Sequence, residues 1–125
     1  MTEPELDPYQ ELGGADGVRL LVDHFYAVMD RLPEAEGIRA MHAPDLAPMR
    51  GLLFDFLSGW LGGPPLYLER TDRKCMRSAH EPFTIGPAER EAWLECMDLA
   101  MEEVGVEAEL REILHQAFSR VAAAL

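Results

Sequence analysis

Apolar residues recur along this chain at spacings of three and four, and the strict alternation of a half-buried strand is missing, so the pattern predicts an all-α domain. The paired glycines Gly13-Gly14 permit positive φ and Asp16 can cap. Val18, Leu21, Val22, Phe25, Tyr26 and Met29 then form one face of a first long helix, which Arg31-Leu32-Pro33 ends. A second helix begins near Pro48, a residue allowed in a first turn, and carries Leu52, Leu53, Phe56, Leu57 and Trp60 on one wide stripe until Gly62-Gly63-Pro64-Pro65 stops it. Pro87 opens a third, with Trp93, Leu94, Met97, Ala100, Met101 and Val104 on its apolar side and Gly105 close to its end. The last carries Leu110, Ile113, Leu114, Ala117, Phe118, Val121 and Leu125. Between Gly63 and Gly86 the periodicity weakens to a short helix around Arg73 to His80, in a loop that something else must hold in place. No internal repeat or low-complexity linker interrupts the chain.

Length makes this a single domain, residues 1–125 with 1–8 flexible, large enough to bury a core without disulfides or a structural metal. No stretch approaches the roughly 18 apolar residues of a membrane span. The acidic start, Met1-Thr2-Glu3-Pro4-Glu5-Leu6-Asp7, lacks the apolar centre of a signal peptide, so the cytoplasm is the expected compartment. Cys75 and Cys96 do not form a CxxC pair and are expected to be reduced structural thiols. A formal net charge of −12 disfavours nucleic acid and anionic membrane surfaces as partners. Against that acidic background Arg70, Arg73, Lys74 and Arg77 concentrate four of the eleven basic residues, a cluster suited to an anionic group.

Imidazole serves as base, proton switch or metal ligand, so the four histidines are the natural candidates for chemistry. His24 falls on the polar flank of the first long helix and reads as solvated. Glu112 and His115 have the Glu-x-x-His spacing of carboxylate-bridged di-iron bundles, but such a site needs a second copy and none exists, so both read as surface residues. His42, in Ala40-Met41-His42-Ala43-Pro44, lies at a corner and alone reads as a loop residue. His80 has a richer context in Arg77-Ser78-Ala79-His80-Glu81-Pro82-Phe83: cations before it, a Pro-Phe pair after it, and an apolar helix soon following. One histidine so placed is suited to holding haem iron from one side.

The order and spacing of Gly62-Gly63-Pro64-Pro65-Leu66-Tyr67, then His80-Glu81-Pro82-Phe83, then Ala92-Trp93-Leu94-Glu95-Cys96-Met97, together with Phe25-Tyr26 and Gly13-Gly14, closely resemble the truncated haemoglobins of the second group, from about Tyr9 to the end. The resemblance implies a globin-like two-over-two helical sandwich around haem b. It implies His80 as the proximal iron ligand, with its Nδ1–H meeting a backbone carbonyl or water. It also implies Tyr26, His42 and Trp93 around the open coordination site, where a phenol and an indole need hydrogen-bond partners in an apolar pocket. Met49 and Leu53 are placed on the distal side, Phe56 deeper, and Tyr67, Met76, Phe83 and Met97 at the ring edge and proximal side, with Arg77 on a propionate. Because Met49 and Leu53 are apolar, ligand stabilisation falls to Tyr26, Trp93 and His42.

The activity this implies is binding of dioxygen, nitric oxide, carbon monoxide or peroxide by a monomer or weak homodimer. Several donors would make a slow-releasing protein, suited to conversion of nitric oxide to nitrate or peroxidase-like turnover; a sensor or storage globin without turnover is the alternative. The chain has no flavin or nicotinamide motif, so turnover needs an electron-donor reductase. The chain departs from the family pattern at Ala79, where many relatives carry arginine, at Thr71-Asp72-Arg73-Lys74, where Gly-His-Pro is usual, and at His42, where tyrosine or phenylalanine is common.

Overall fold

The computed structural model describes residues 7–70, 80, 83 and 85–124. Among them the regular elements are all helical: α1 (Pro8–Glu11), α2 (Gly14–Arg31), a 3₁₀ turn (Pro33–Ala35), α3 (Glu36–Ala40), α4 (Ala47–Trp60), α5 (Leu66–Glu69), α6 (Pro87–Glu103) and α7 (Ala108–Ala123). Helix α2 packs on both α4 and α6, and α6 packs on α7, so the pair α2/α4 lies over the pair α6/α7. This is the two-over-two arrangement expected from the sequence.

The periodicity explains which faces meet. Val18, Leu21, Val22, Phe25, Tyr26, Val28 and Met29 of α2 are buried and form one core with Phe54 and Leu57 of α4, Cys96, Met97, Ala100 and Met101 of α6, and Leu114 and Phe118 of α7. Boundaries follow local chemistry. Pro33 follows the extended C-cap Leu32, which ends α2. The Glu89 carboxylate accepts the Gly86 N–H at 3.1 Å ahead of Pro87, the first residue of α6. Ile113 departs from its sequence assignment: it stands 56% exposed, because the buried face of α7 runs through Leu114 and Phe118 instead.

The end of α4 is fastened at several points. Gly62 turns the chain at φ +103°, a conformation side chains resist. A Cβ on Gly63 would lie 2.5 Å from the Tyr9 ring, so only glycine admits that aromatic. The Tyr9 N–H donates to the Leu61 carbonyl at 3.0 Å, and the buried Ser58 hydroxyl donates to the Pro64 carbonyl at 2.7 Å. Asp7, whose carboxylate accepts the Gln10 N–H at 2.8 Å, caps α1; the flexible start expected from the sequence otherwise lies outside the described residues. Cys96 is fully buried in the core, where burial, with Glu95 beside it, pushes its thiol up to about 11, in keeping with a structural role; Cys75 is outside the described residues.

Candidate functional site

Helices α2 and α6 and the bend that follows α3 bring Tyr26, Trp93 and His42 into one aromatic corner. Tyr26 lies on the core face of α2, 2% exposed, and Trp93 is half-buried on α6. Phe25 joins them, with ring centroids 5.0 Å from Tyr26 and 5.2 Å from Trp93. The His42 ring meets Tyr26 edge-on at 5.9 Å. Behind Trp93 stands Phe118 of α7 at 5.4 Å, itself stacked on Trp60 of α4 at 4.6 Å. The site therefore rests on side chains from both layers, and its rings are held by mutual contact.

The polar atoms of this corner differ in what they bind. The Tyr26 hydroxyl and the Trp93 indole N–H make no hydrogen bond among the described residues. Burial raises the Tyr26 phenol well above its ordinary range, opposed in part by the Arg50 guanidinium, so the hydroxyl keeps its proton and remains a donor. His42 is satisfied on one side, its Nδ1 2.7 Å from the Ile38 carbonyl oxygen.

Beside the corner, Met49, Leu53 and Phe56 follow one another at helical spacing along α4 and stay half-buried against the core, although all are apolar. Phe56 meets Tyr67 of α5 edge-on at 5.9 Å. Met97 lies one turn after Trp93 and is fully buried. His80 is helical and half-buried, and its carbonyl accepts the Phe83 N–H at 3.0 Å, leaving Phe83 42% exposed. Met76, Arg77, Arg73 and Lys74 lie outside the described residues. Arg70, of the basic cluster, is engaged within the protein: its Nε donates to the Asp55 carboxylate at 2.7 Å and ties the end of α5 to α4.

Two arginines were not singled out by sequence patterning. Arg39 donates to the Ala43 and Pro44 carbonyls at 3.1 and 3.0 Å and to the Asp30 carboxylate, so it holds the corner that carries His42. Arg50, next to Met49, has a buried Nε 3.9 Å from the Asp23 carboxylate and no hydrogen-bond acceptor there, and it acts electrostatically on Tyr26. The only available signal was a basic residue opening an otherwise apolar helix.

The other histidines join helices. His24 lies 2.8 Å from the Glu103 carboxylate, which Arg31 also contacts, so α2 is stapled to α6. His115 Nδ1 lies 2.9 Å from Asp98, linking α7 to α6, rather than standing as a plain surface residue. Among the described residues no three His, Cys, Asp or Glu side chains gather as a metal site.

A haem face that binds small ligands needs an apolar wall and donors not already used by the protein. Met49, Leu53 and Phe56 offer such a wall, and Tyr26 and Trp93 such donors, so the residues present fit the group. Comparison with known proteins leads to the same place. A family model described as bacterial-like globin matches residues 7–125. The group 2 truncated haemoglobin YjbI of Bacillus subtilis is 37% identical over 107 residues, 86% of this chain and 78% of that protein. A group II 2-on-2 haemoglobin from the plant pathogen Agrobacterium tumefaciens superposes with a TM-score of 0.89 at 41% identity, covering 99% of this chain and 96% of its own. A cold-adapted truncated haemoglobin from the Antarctic marine bacterium Pseudoalteromonas haloplanktis TAC125 also gives 0.89, at 35% identity over 95% of this chain and 96% of its own. With its fold and nearly its whole length shared with these proteins, the chain belongs to the bacterial-like globins and, within them, to the group II truncated haemoglobins, which bind dioxygen and similar ligands through haem.

Proposed function

We propose that this globin binds haem b through His80 and retains diatomic ligands long enough for redox chemistry on them, converting nitric oxide to nitrate or turning over peroxide. When bound, haem supplies an iron that takes such ligands reversibly and exchanges electrons with them. His80 holds that iron from the proximal side. Met49, Leu53 and Phe56 form the apolar distal wall, Tyr67, Met76, Phe83 and Met97 the ring edge and proximal side, and Arg77 neutralises a propionate.

The observation that carries the reading is a pair of donors, the Tyr26 hydroxyl and the Trp93 indole N–H, that make no hydrogen bond among the described residues. Both belong to an apolar aromatic corner, and a hydrogen bond to a ligand there displaces no hydrogen bond made to the described residues. A charge-assisted hydrogen bond contributes about 1.5–3 kcal/mol, enough to slow release by about ten- to a hundredfold. Slow release suits chemistry better than delivery. A solved relative from Bacillus subtilis is described as an oxygen-avid truncated haemoglobin; it gives a TM-score of 0.84 at 34% identity over 95% of this chain and 98% of its own.

The protein works in the cytoplasm as a monomer or weak homodimer, with a separate reductase as electron donor. No described helix is long and apolar enough to cross a membrane, and the charge of −12 argues against nucleic acid as a partner. Stopped-flow mixing of the oxygenated protein with nitric oxide tests the activity. Rapid stoichiometric nitrate formation is the expected result; simple displacement of dioxygen without nitrate, combined with no peroxide turnover, leaves a sensor or storage globin.

A further inference from the structure

His42 carries information that its position in the chain does not. Its Nδ1 lies 2.7 Å from the Ile38 carbonyl oxygen. A carbonyl only accepts, so Nδ1 holds a proton, and in the neutral ring Nε2 is then a bare lone pair. Nε2 has no hydrogen-bond partner among the described residues. The arrangement is rigid as well as directional, because Arg39 bonds to the Ala43 and Pro44 carbonyls immediately after His42 and to Asp30 on α2. Turning the ring over would forfeit the Ile38 bond. On its other side the imidazole packs edge-on against Tyr26.

We propose that His42 is the proton acceptor of the ligand site and makes it selective for ligands that carry a removable proton, hydrogen peroxide above all. The proposal rests on the haem reading above and deepens it. Carbon monoxide and dioxygen have no proton to give and meet donors only, Tyr26 and Trp93. Hydrogen peroxide meets those donors and an acceptor. In the transfer one O–H bond of peroxide breaks, its electron pair stays on oxygen to leave hydroperoxide anion, and the proton passes to Nε2. The resulting imidazolium keeps its Nδ1–H bond to the Ile38 carbonyl, a bond that strengthens as the ring becomes charged. The step consumes no oxidant or reductant.

Two measurements on the full chain test this. Long-range ¹H–¹⁵N spectra of the histidine-labelled, carbon monoxide-bound protein at neutral pH should show a ring with protonated Nδ1 and unprotonated Nε2 that disappears in His42→Phe; a protonated Nε2 overturns the proposal. Stopped-flow mixing of the ferric protein with hydrogen peroxide should be slowed about a hundredfold in His42→Phe, within the usual range for a general base, while carbon monoxide association to the ferrous form changes less than about threefold. His42→Gln, whose amide oxygen accepts a hydrogen bond but does not take up a proton, should stay slow with peroxide. Equal slowing with both ligands, or none with peroxide, overturns the proposal. A chain that binds no haem fails the haem reading instead, and the tautomer spectrum of the haem-free protein still tests the nitrogen assignment.

Discussion

Replacing Trp93 with phenylalanine removes the indole N–H together with part of the ring system. The indole lies 5.2 Å from Phe25 and 5.4 Å from Phe118, ring to ring, and a phenyl group retains much of both contacts. The half-buried position limits the packing loss to about 1–2 kcal/mol. The N–H has no partner among the described residues, so its removal leaves no protein acceptor unsatisfied there. On the proposed assignment, what is lost is its bond to the ligand. At about 1.5–3 kcal/mol for a charge-assisted hydrogen bond, dioxygen dissociation should accelerate about ten- to a hundredfold. The assay is displacement of dioxygen by excess carbon monoxide in a stopped-flow spectrometer, with carbon monoxide association and the melting temperature as controls for general damage. An off-rate within about twofold of wild type, in a variant that retains haem and its fold, refutes the assignment and leaves Tyr26 as the principal donor.

Other positions yield expectations of different kinds. His80→Gly should lose most of its haem during purification and regain it with added imidazole; full haem content without imidazole would remove His80 from the proximal position. Gly63→Ala places a methyl group 2.5 Å from the Tyr9 ring and should cost about 1–3 kcal/mol in urea denaturation; an unchanged midpoint would mean that Tyr9 moves freely aside. Glu103 has a carboxyl held low by the His24 hydrogen bond foremost and by Arg31. A carboxyl depressed in the folded state adds stability above its unfolded value near 4.3, and that stability is lost as pH falls through the lower folded value. Glu103→Gln should therefore destabilise at neutral pH, by less than about 1 kcal/mol because the pair is solvent-screened. The difference should fade on acidification below about pH 4, which parallel melting curves across pH would show; a difference that grows in acid contradicts the pairing.

Periodicity alone was enough to locate the four long helices and most of their buried faces, because helix packing selects for a three-and-four repeat that leaves its mark locally. Ile113 shows the limit: its spacing fits the apolar face of α7, but the face that packs runs through Leu114 and Phe118 and leaves it exposed. The resemblance named Tyr26, His42 and Trp93 together, and the structure joins their rings through Phe25 in one aromatic cluster, from parts of the chain far apart in sequence. What patterning did not disclose are pairings made across helices. Arg70 with Asp55, His24 with Glu103, His115 with Asp98 and Arg39 with Asp30 all depend on tertiary placement. Glu112 and His115, read from the sequence as surface residues for want of a second Glu-x-x-His copy, are each engaged: His115 turns to Asp98 while Glu112 accepts a bond from Gln116. The setting of the His42 ring is a still finer detail, its Nδ1 lying 2.7 Å from one carbonyl oxygen a helical turn earlier.

The central claim, that this chain is a His80-ligated haem protein, is tested most directly by titrating the purified haem-free chain with haemin and following the Soret band. The account predicts saturation at about one haemin per chain and, after reduction in the absence of gas followed by carbon monoxide, the sharp shifted band of a histidine-ligated ferrous adduct, lost in His80→Gly. A spectrum that never departs from free haemin, or one unaffected by His80→Gly, would contradict it.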